Sequence, residues 1–256
     1  MAVGRLTEQV VIVTGGALGI GAAYCRALAK EGATVVIADI ADADARSLAD
    51  ELQEGGAQAL AVATDVASAE ATASMADAVA NRFGRIDGLI NNAAMFQRPG
   101  VSRGPFEEIS VEEWDRVMAV NLRGVFLCAK AVVPYMKRQR RGKIINISSS
   151  TVHMGTTNFA HYVTSKAGVI GFTRVLAREL GEHGINVNAV APGQTLSLDE
   201  IPDDRRQRYE AAAQGRSLKR VQTPHDLVGA IVFLCSSDSD FITGQTLVVD
   251  GGIAFN

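Results

Sequence analysis

Apolar and polar positions follow two rhythms along this chain. Seven short, β-branched or alanine-rich runs read as buried strands: "QVVIVT" (9–14), "TVVIAD" (34–39), "AQALAVATD" (57–65), "DGLINN" (87–92), "GKIINISS" (142–149), "INVNAVAP" (185–192) and "QTLVVDGG" (245–252). Helical spacing fills the gaps. One pattern runs from Ile20 to Glu31, and a second, "ADADARSLADELQEGG", ends in glycines. A third lies between strands three and four. Another starts at about Val111, where Ser110 and Glu113 fit a capping box. Tyr162 begins the helix after strand five, and Thr223-Pro224 reads as a cap and first-turn proline for a helix reaching Cys235.

Buried strands that alternate with helices require parallel pairing and right-handed crossovers. The predicted fold class is therefore α/β: a single-domain, Rossmann-type doubly wound parallel sheet of about seven strands with helices on both faces. No stretch rich in Pro, Gly or Ser divides residues 1–256. One charged segment breaks the rhythm at about 193–220, with a helical piece near Pro202–Ala213, and reads as a substrate-loop insertion. Its first part, 193–210, is expected to close over bound substrate.

Composition narrows the chemistry. Apolar residues make up 47% of 256 residues and the formal charge is −3, which gives no reason to expect nucleic acid or an anionic membrane as partner. No apolar run reaches the roughly 18–20 residues of a membrane span. The N-terminus enters a strand almost at once, so a cytoplasmic protein without signal peptide is expected. Cys25, Cys128 and Cys235 stand singly in apolar helical stretches, and the four histidines are scattered. That pattern predicts a reducing compartment, no disulfide framework and no metal.

Two local features carry chemistry. Gly15, Gly19 and Gly21 sit between the first strand and its helix, spaced G-x-x-x-G-x-G. Such a turn, with Leu18 and Ile20 inside it, lets backbone approach a pyrophosphate and aims a helix N-terminus at it; the plain alternative is a tight turn that needs positive φ. Asp39 ends the second strand eighteen residues after Gly21. A carboxylate there can accept the ribose hydroxyls of NAD and would repel the extra phosphate of NADP. Leu18 and Ile40, flanking that position, supply no positive charge. The alternative is that Asp39 caps the following helix. The second feature is Tyr162 and Lys166, four apart and so on one helix face; a lone Y-x-x-x-K is otherwise an amphipathic pair without chemical task.

Together the motifs resemble the short-chain dehydrogenase/reductase family over essentially the whole chain. They comprise T-G-x-x-x-G-x-G at Thr14–Gly21, "TDV" at 64–66, "NNAA" at 91–94, Asn121, Ser149, Tyr162, Lys166 and "PG" at 192–193. Ser149 precedes Tyr162 by the family's usual thirteen residues. The resemblance implies Tyr162 as general acid/base, Lys166 as partner of the phenol and the nicotinamide ribose, Ser149 as donor to the substrate oxygen, and Asn121 in a water-linked proton relay. It also implies a cofactor site of Gly15, Leu18, Gly19, Ile20, Gly21, Asp39, Ile40, Asp65, Val66, Asn92, Ala93, Ala94, Tyr162, Lys166, Pro192, Gly193 and Thr195. Asp65 would face the adenine amino group and Thr195 the nicotinamide carboxamide. Ala94 departs from the family's usual glycine, and its methyl would narrow the space beside the cofactor. A phenol with pKa near 10 is a poor base at neutral pH, so the neighbouring ammonium is expected to lower that pKa.

The implied reaction is NAD-dependent interconversion of a secondary alcohol and a ketone. Met95–Arg98, Thr151–Met154, Thr156–Thr157 and 194–215 are expected to wall the substrate pocket. Met95, Phe96, Val152 and Met154 would make it apolar and suited to a hydrophobic cyclic or aromatic small molecule, with Arg98 or His153 as possible readers of a polar group. The alternatives are a carbon–carbon double-bond reductase, an enzyme of sugar derivatives (dehydrogenase or nucleotide-sugar epimerase), and a non-enzymatic NAD(H) sensor. The resemblance further implies a homotetramer using Val111–Lys137, Asn158–Leu180 and the C-terminal segment.

Overall fold

A computed structural model describes residues 4–96, 101–197 and 203–255, the side chains of 203–205 and 208 excepted. All seven strands join one parallel sheet in the order β3-β2-β1-β4-β5-β6-β7. They are β1 (Val10–Thr14), β2 (Thr34–Asp39), β3 (Ala59–Ala63), β4 (Gly88–Asn91), β5 (Gly142–Ile147), β6 (Ile185–Pro192) and β7 (Thr246–Val249). The third and seventh runs are each four residues shorter than the hydrophobic pattern predicts, and the fourth and fifth each two shorter. In the fifth, Ser148 and Ser149 leave the β5 strand and turn toward the short α6 (Thr151–Met154), and the charged insertion carries α8 (Asp203–Ala213).

Strand alternation sends side chains to both faces. Val11, Val13, Val35 and Ile37 pack on one face with α1 (Gly19–Lys30), α2 (Asp42–Glu54) and α9 (His225–Cys235). Val10, Ile12, Val36 and Leu89 pack on the other with α3 (Ala69–Phe83), α5 (Gly124–Gln139) and α7 (Ala160–Leu180). Each of these fully buried aliphatic side chains contributes roughly 1.5–3 kcal/mol. Cys25, Cys128 and Cys235 are free and buried in these two layers.

The helix expected from Val111 is not uniform. α4 (Val111–Met118) passes through a π turn at Ala119–Arg123 before α5. Ser110 accepts from the Glu113 N–H at 3.1 Å, which is one half of the predicted capping box. The Glu113 carboxylate instead accepts from Ser102 and meets His161 Nε2 at 2.8 Å. The Val111–Gln139 run has an 18-residue window of mean hydropathy 1.5, so its composition alone would pass for a membrane span, contrary to the sequence expectation. Core packing explains part of it: Cys128, Ala129, Val132 and Met136 face the sheet, while Val111, Trp114 and Phe126 are exposed. At the other end of the chain, α9 starts at His225 with Pro224 as N-cap, and the Asp226 carboxylate accepts from the Thr223 N–H and hydroxyl.

The strand order reverses between β1 and β4, whose C-terminal residues Thr14 and Asn91 lie in register. Open α/β sheets bind ligands in the crevice at such a point.

Candidate active site

The crevice is floored by the turn between β1 and α1. Gly15 and Gly19 adopt φ of 61° and 55°, and a Cβ on Gly21 would lie 2.0 Å from the Gly15 carbonyl oxygen. Gly15 and Gly21 have no room for a Cβ, and at Gly19 glycine relieves the strain of the positive φ. α1 starts with no side-chain cap at Leu18, whereas Ser68 and Ser110 cap α3 and α4. Its first N–H groups therefore remain available to an anion. Asn92 Nδ2 donates to the carbonyls of Thr14 and Gly15 at 3.1 and 2.9 Å, and the Thr14 hydroxyl accepts from the N–H groups of Asn92 and Ala93. The β4 loop thus fixes the turn.

Asp39 closes the far side. One carboxylate oxygen accepts from the Ala17 N–H and the other from the Ala41 N–H, both at 3.0 Å. It therefore braces both the glycine turn and the entry to α2, and acceptor capacity remains for further donors. Leu18 and Ile40 beside it are exposed and apolar. Asp65 is exposed, with one oxygen accepting from the Ala67 N–H at 2.9 Å; Val66 is buried against Gly124. A bare turn, uncapped helix N–H groups and a carboxylate at the second strand's end fit a dinucleotide sterically and chemically.

Ser149, Tyr162 and Lys166 meet in one cavity of about 250 Å³ that also touches Ile20, Asn92 and Gly193. β5 delivers Ser149 and the first turn of α7 delivers Tyr162. Of the neighbouring serines, the Ser148 hydroxyl is committed to the Lys166 carbonyl at 2.9 Å, while the Ser150 backbone N–H ties the turn to the Pro192 carbonyl at 2.9 Å. Ser149 Oγ accepts from Thr151 Oγ1 at 2.9 Å and from the Thr151 N–H at 3.3 Å. Its own proton is then left for an acceptor in the cavity, and the Tyr162 phenol oxygen is one such partner. This Thr151 contact was not foreseen from the sequence.

Electrostatics correct one expectation. Lys166 Nζ donates to the Ile147 carbonyl at 2.7 Å and lies 5.8 Å from the Tyr162 ring centroid. Burial pushes the Tyr162 phenol up to about 12, against smaller downward pulls from Ser149 and the Arg103 charge. Burial likewise pulls the Lys166 ammonium down to about 8. In this structure desolvation outweighs the attraction that was expected to acidify the phenol.

Asn121 occupies the π turn and is fully buried. Its Oδ1 accepts from the Met95 N–H at 2.7 Å, and its Nδ2 donates to Met95 O and Ser165 Oγ, both at 3.2 Å. Its side chain thus holds the β4 loop to α7 and touches neither Tyr162 nor Lys166 through a hydrogen bond. Behind it, Asn91 Nδ2 donates to Asn146 Oδ1 and Asn146 Nδ2 to Thr173 Oγ1, linking β4, β5 and α7. Ala94 lines the cavity without positive φ, so its methyl introduces no backbone strain. The Thr195 hydroxyl donates to the Gly193 carbonyl at 3.0 Å at the same cavity.

The substrate walls match the sequence reading only in part. Phe96, Thr151, Met154, Thr156 and residues 194, 195 and 197 line the cavity. Met95, Val152 and Thr157 do not, and His153 borders a separate pocket with Arg174 and Arg178. Arg98 and residues 198–202 lie outside the described residues. Arg103, unnamed by any sequence motif, lines the cavity instead, with its Cζ 4.2 Å from the Phe159 ring centroid.

A crevice of this kind, with proton-carrying side chains at its mouth, defines an oxidoreductase of the doubly wound α/β class. A family model described as enoyl-(acyl carrier protein) reductase matches residues 15–254. The chain is 38% identical to the 3-oxoacyl-(acyl-carrier-protein) reductase FabG of Thermotoga maritima, over 97% of this chain and 99% of that protein. It is 39% identical to the cis-4-hydroxycyclohexanecarboxylate dehydrogenase of Sinomonas cyclohexanicum, over 96% of each. The crystal structure of levodione reductase superposes with a TM-score of 0.90 at 32% identity, covering 96% of this chain and 98% of that one. The chain belongs to the short-chain dehydrogenase/reductase family.

Proposed function

We propose that this oxidoreductase is NAD-dependent and interconverts a secondary alcohol and a ketone on a hydrophobic cyclic or aromatic small molecule. The observation that carries the reading is the convergence of Ser149, Tyr162 and Lys166 on one cavity at the sheet's switch point. A nicotinamide dinucleotide on the glycine turn supplies hydride transfer. Ser149, beside Tyr162 in the cavity, donates to the substrate oxygen and stabilises developing charge there. Tyr162 exchanges the hydroxyl proton, and Lys166 steadies the phenolate when it forms. A phenol held near 12 is protonated at neutral pH, so it is poised to give a proton to a ketone oxygen. Alcohol oxidation, which needs the phenolate, should accelerate as pH rises, while ketone reduction should not. Asn121 serves by fixing the Met95 loop and α7.

NAD is preferred over NADP because Asp39 places negative charge where the 2′-phosphate would sit and neither Leu18 nor Ile40 offsets it. Two relatives named for ring-bearing substrates support the cyclic class. The description of the matching family model favours a second reading, reduction of a carbon–carbon double bond; the four-residue Tyr162–Lys166 spacing supports carbonyl chemistry. Exposed Val111, Trp114, Phe126 and Val175, with Phe241, Leu247 and Phe255, support a homotetramer. Three free cysteines fit a cytoplasmic site.

The test is absorbance at the NADH band with NAD⁺ or NADP⁺ and a panel of cyclic, aromatic and sugar-derived alcohols, with an enoyl thioester and NADH as a further arm. The expected result is NADH formation from a cyclic or aromatic alcohol, with a preference of about tenfold or more for NAD⁺. Preference for NADP⁺, or turnover of the enoyl thioester alone, would overturn it.

A further inference from the structure

Arg103 is the one unexplained charge at the cavity. Its guanidinium stacks on Phe159, and the Phe159 ring stacks in turn on Tyr162 at 4.5 Å and 17°. Phe96 completes this aromatic group, with its centroid 5.1 Å from Tyr162 and 5.8 Å from Phe159. Among the described residues no carboxylate lines the cavity, and Arg103, which is exposed, has neither a hydrogen-bond nor an ion-pair partner among them. The other cation there, Lys166, is buried and committed to the Ile147 carbonyl. A guanidinium whose Cζ sits over an aromatic face can keep N–H edges free, and such edges form the fork that matches a carboxylate. The cavity thus joins a mixed polar and apolar wall, with Phe96 and Met154 at its apolar part, to an unpaired guanidinium two ring contacts from the reacting phenol.

We propose that Arg103 binds a carboxylate on the substrate, which makes the substrate class a cyclic hydroxy acid or keto acid rather than a neutral alcohol. This rests on the alcohol–ketone reading above. It differs from the sequence expectation, which placed polar recognition at Arg98 or His153. The charge sits over Phe159, whose ring stacks on the reacting Tyr162, which places it beside the proton-transfer group.

The experiment uses the full chain loaded with NADH and titrated calorimetrically with cyclohexanecarboxylate and with cyclohexanecarboxamide. The acid should bind about tenfold or more tightly than the amide. Arg103→Gln should erase that preference while leaving amide and NADH affinities within about twofold, and Arg103→Lys should restore part of it. Equal binding of acid and amide, or a preference that survives Arg103→Gln, would overturn the proposal. Loss of NADH affinity in Arg103→Gln would also overturn it, by assigning the residue to the cofactor. Failure of the alcohol–ketone reading is seen separately, as the absence of NADH formation from every alcohol in the panel.

Discussion

The two halves of the crevice are built by different means. The cofactor side is backbone: a turn with no room for a Cβ at Gly21, uncapped helix N–H groups, and Asp39 bracing the turn through the Ala17 N–H. The substrate side is side chains carried by separate loops: Phe96 after β4, Arg103 further on, Thr151 and Met154 in a four-residue helix, and Ser197 beyond β6. Backbone-built sites tolerate almost no substitution. Walls built from side chains can change without disturbing the fold, and that is where members of one fold diverge in substrate.

The largest effect should come from the backbone side. Gly21→Ala sets a methyl 2.0 Å from the Gly15 carbonyl, so the turn must open. NADH binding, followed by fluorescence, should be lost, with a stability cost of about 1–3 kcal/mol. Retained affinity would mean that the turn is not the cofactor floor.

Lys166→Met sharpens the comparison at the junction of the halves. An ammonium held near 8 rather than the usual 10.5 sheds its proton earlier when folded than when unfolded. Below about 8 the buried charge costs stability; as pH rises from 8 toward 10.5 that cost disappears. The variant should therefore be more stable than the wild type at pH 7, by up to about 3 kcal/mol, and the gap should shrink by pH 9.5. Thermal unfolding across that range measures it; parallel profiles would contradict the desolvation argument.

The smallest effect belongs to the substrate wall. Thr151→Val removes the hydroxyl donor to Ser149 Oγ and lets the Ser149 proton turn inward. Turnover should fall about three- to tenfold, roughly 1 kcal/mol, with KM little changed and recovery in Thr151→Ser. An unchanged kcat would show that Thr151 does not set that proton.

The same division explains what could be read without coordinates. The strands, their parallel pairing and the glycine turn were legible because each imposes a local constraint on residue type. The gathering of Ser149, Tyr162 and Lys166 was legible because their spacing follows from a strand end and a helix start. The π turn at Asn121 was not, since bulges of this kind leave no periodic signature. Met95 meets Asn121 through its backbone and is absent from the cavity wall, and His153 bordered another pocket, because loop residues take their places from tertiary packing. Arg103 was invisible for the same reason: only the fold stacks it on Phe159. The phenol's upward shift required burial to be known.

The most direct measurement is turnover and NADH binding of Tyr162→Phe, compared side by side. Removing one hydroxyl should cut kcat by about 10²–10⁴ while NADH affinity stays within about threefold of the wild type. Turnover close to that of the wild type would show that the proton travels by another route.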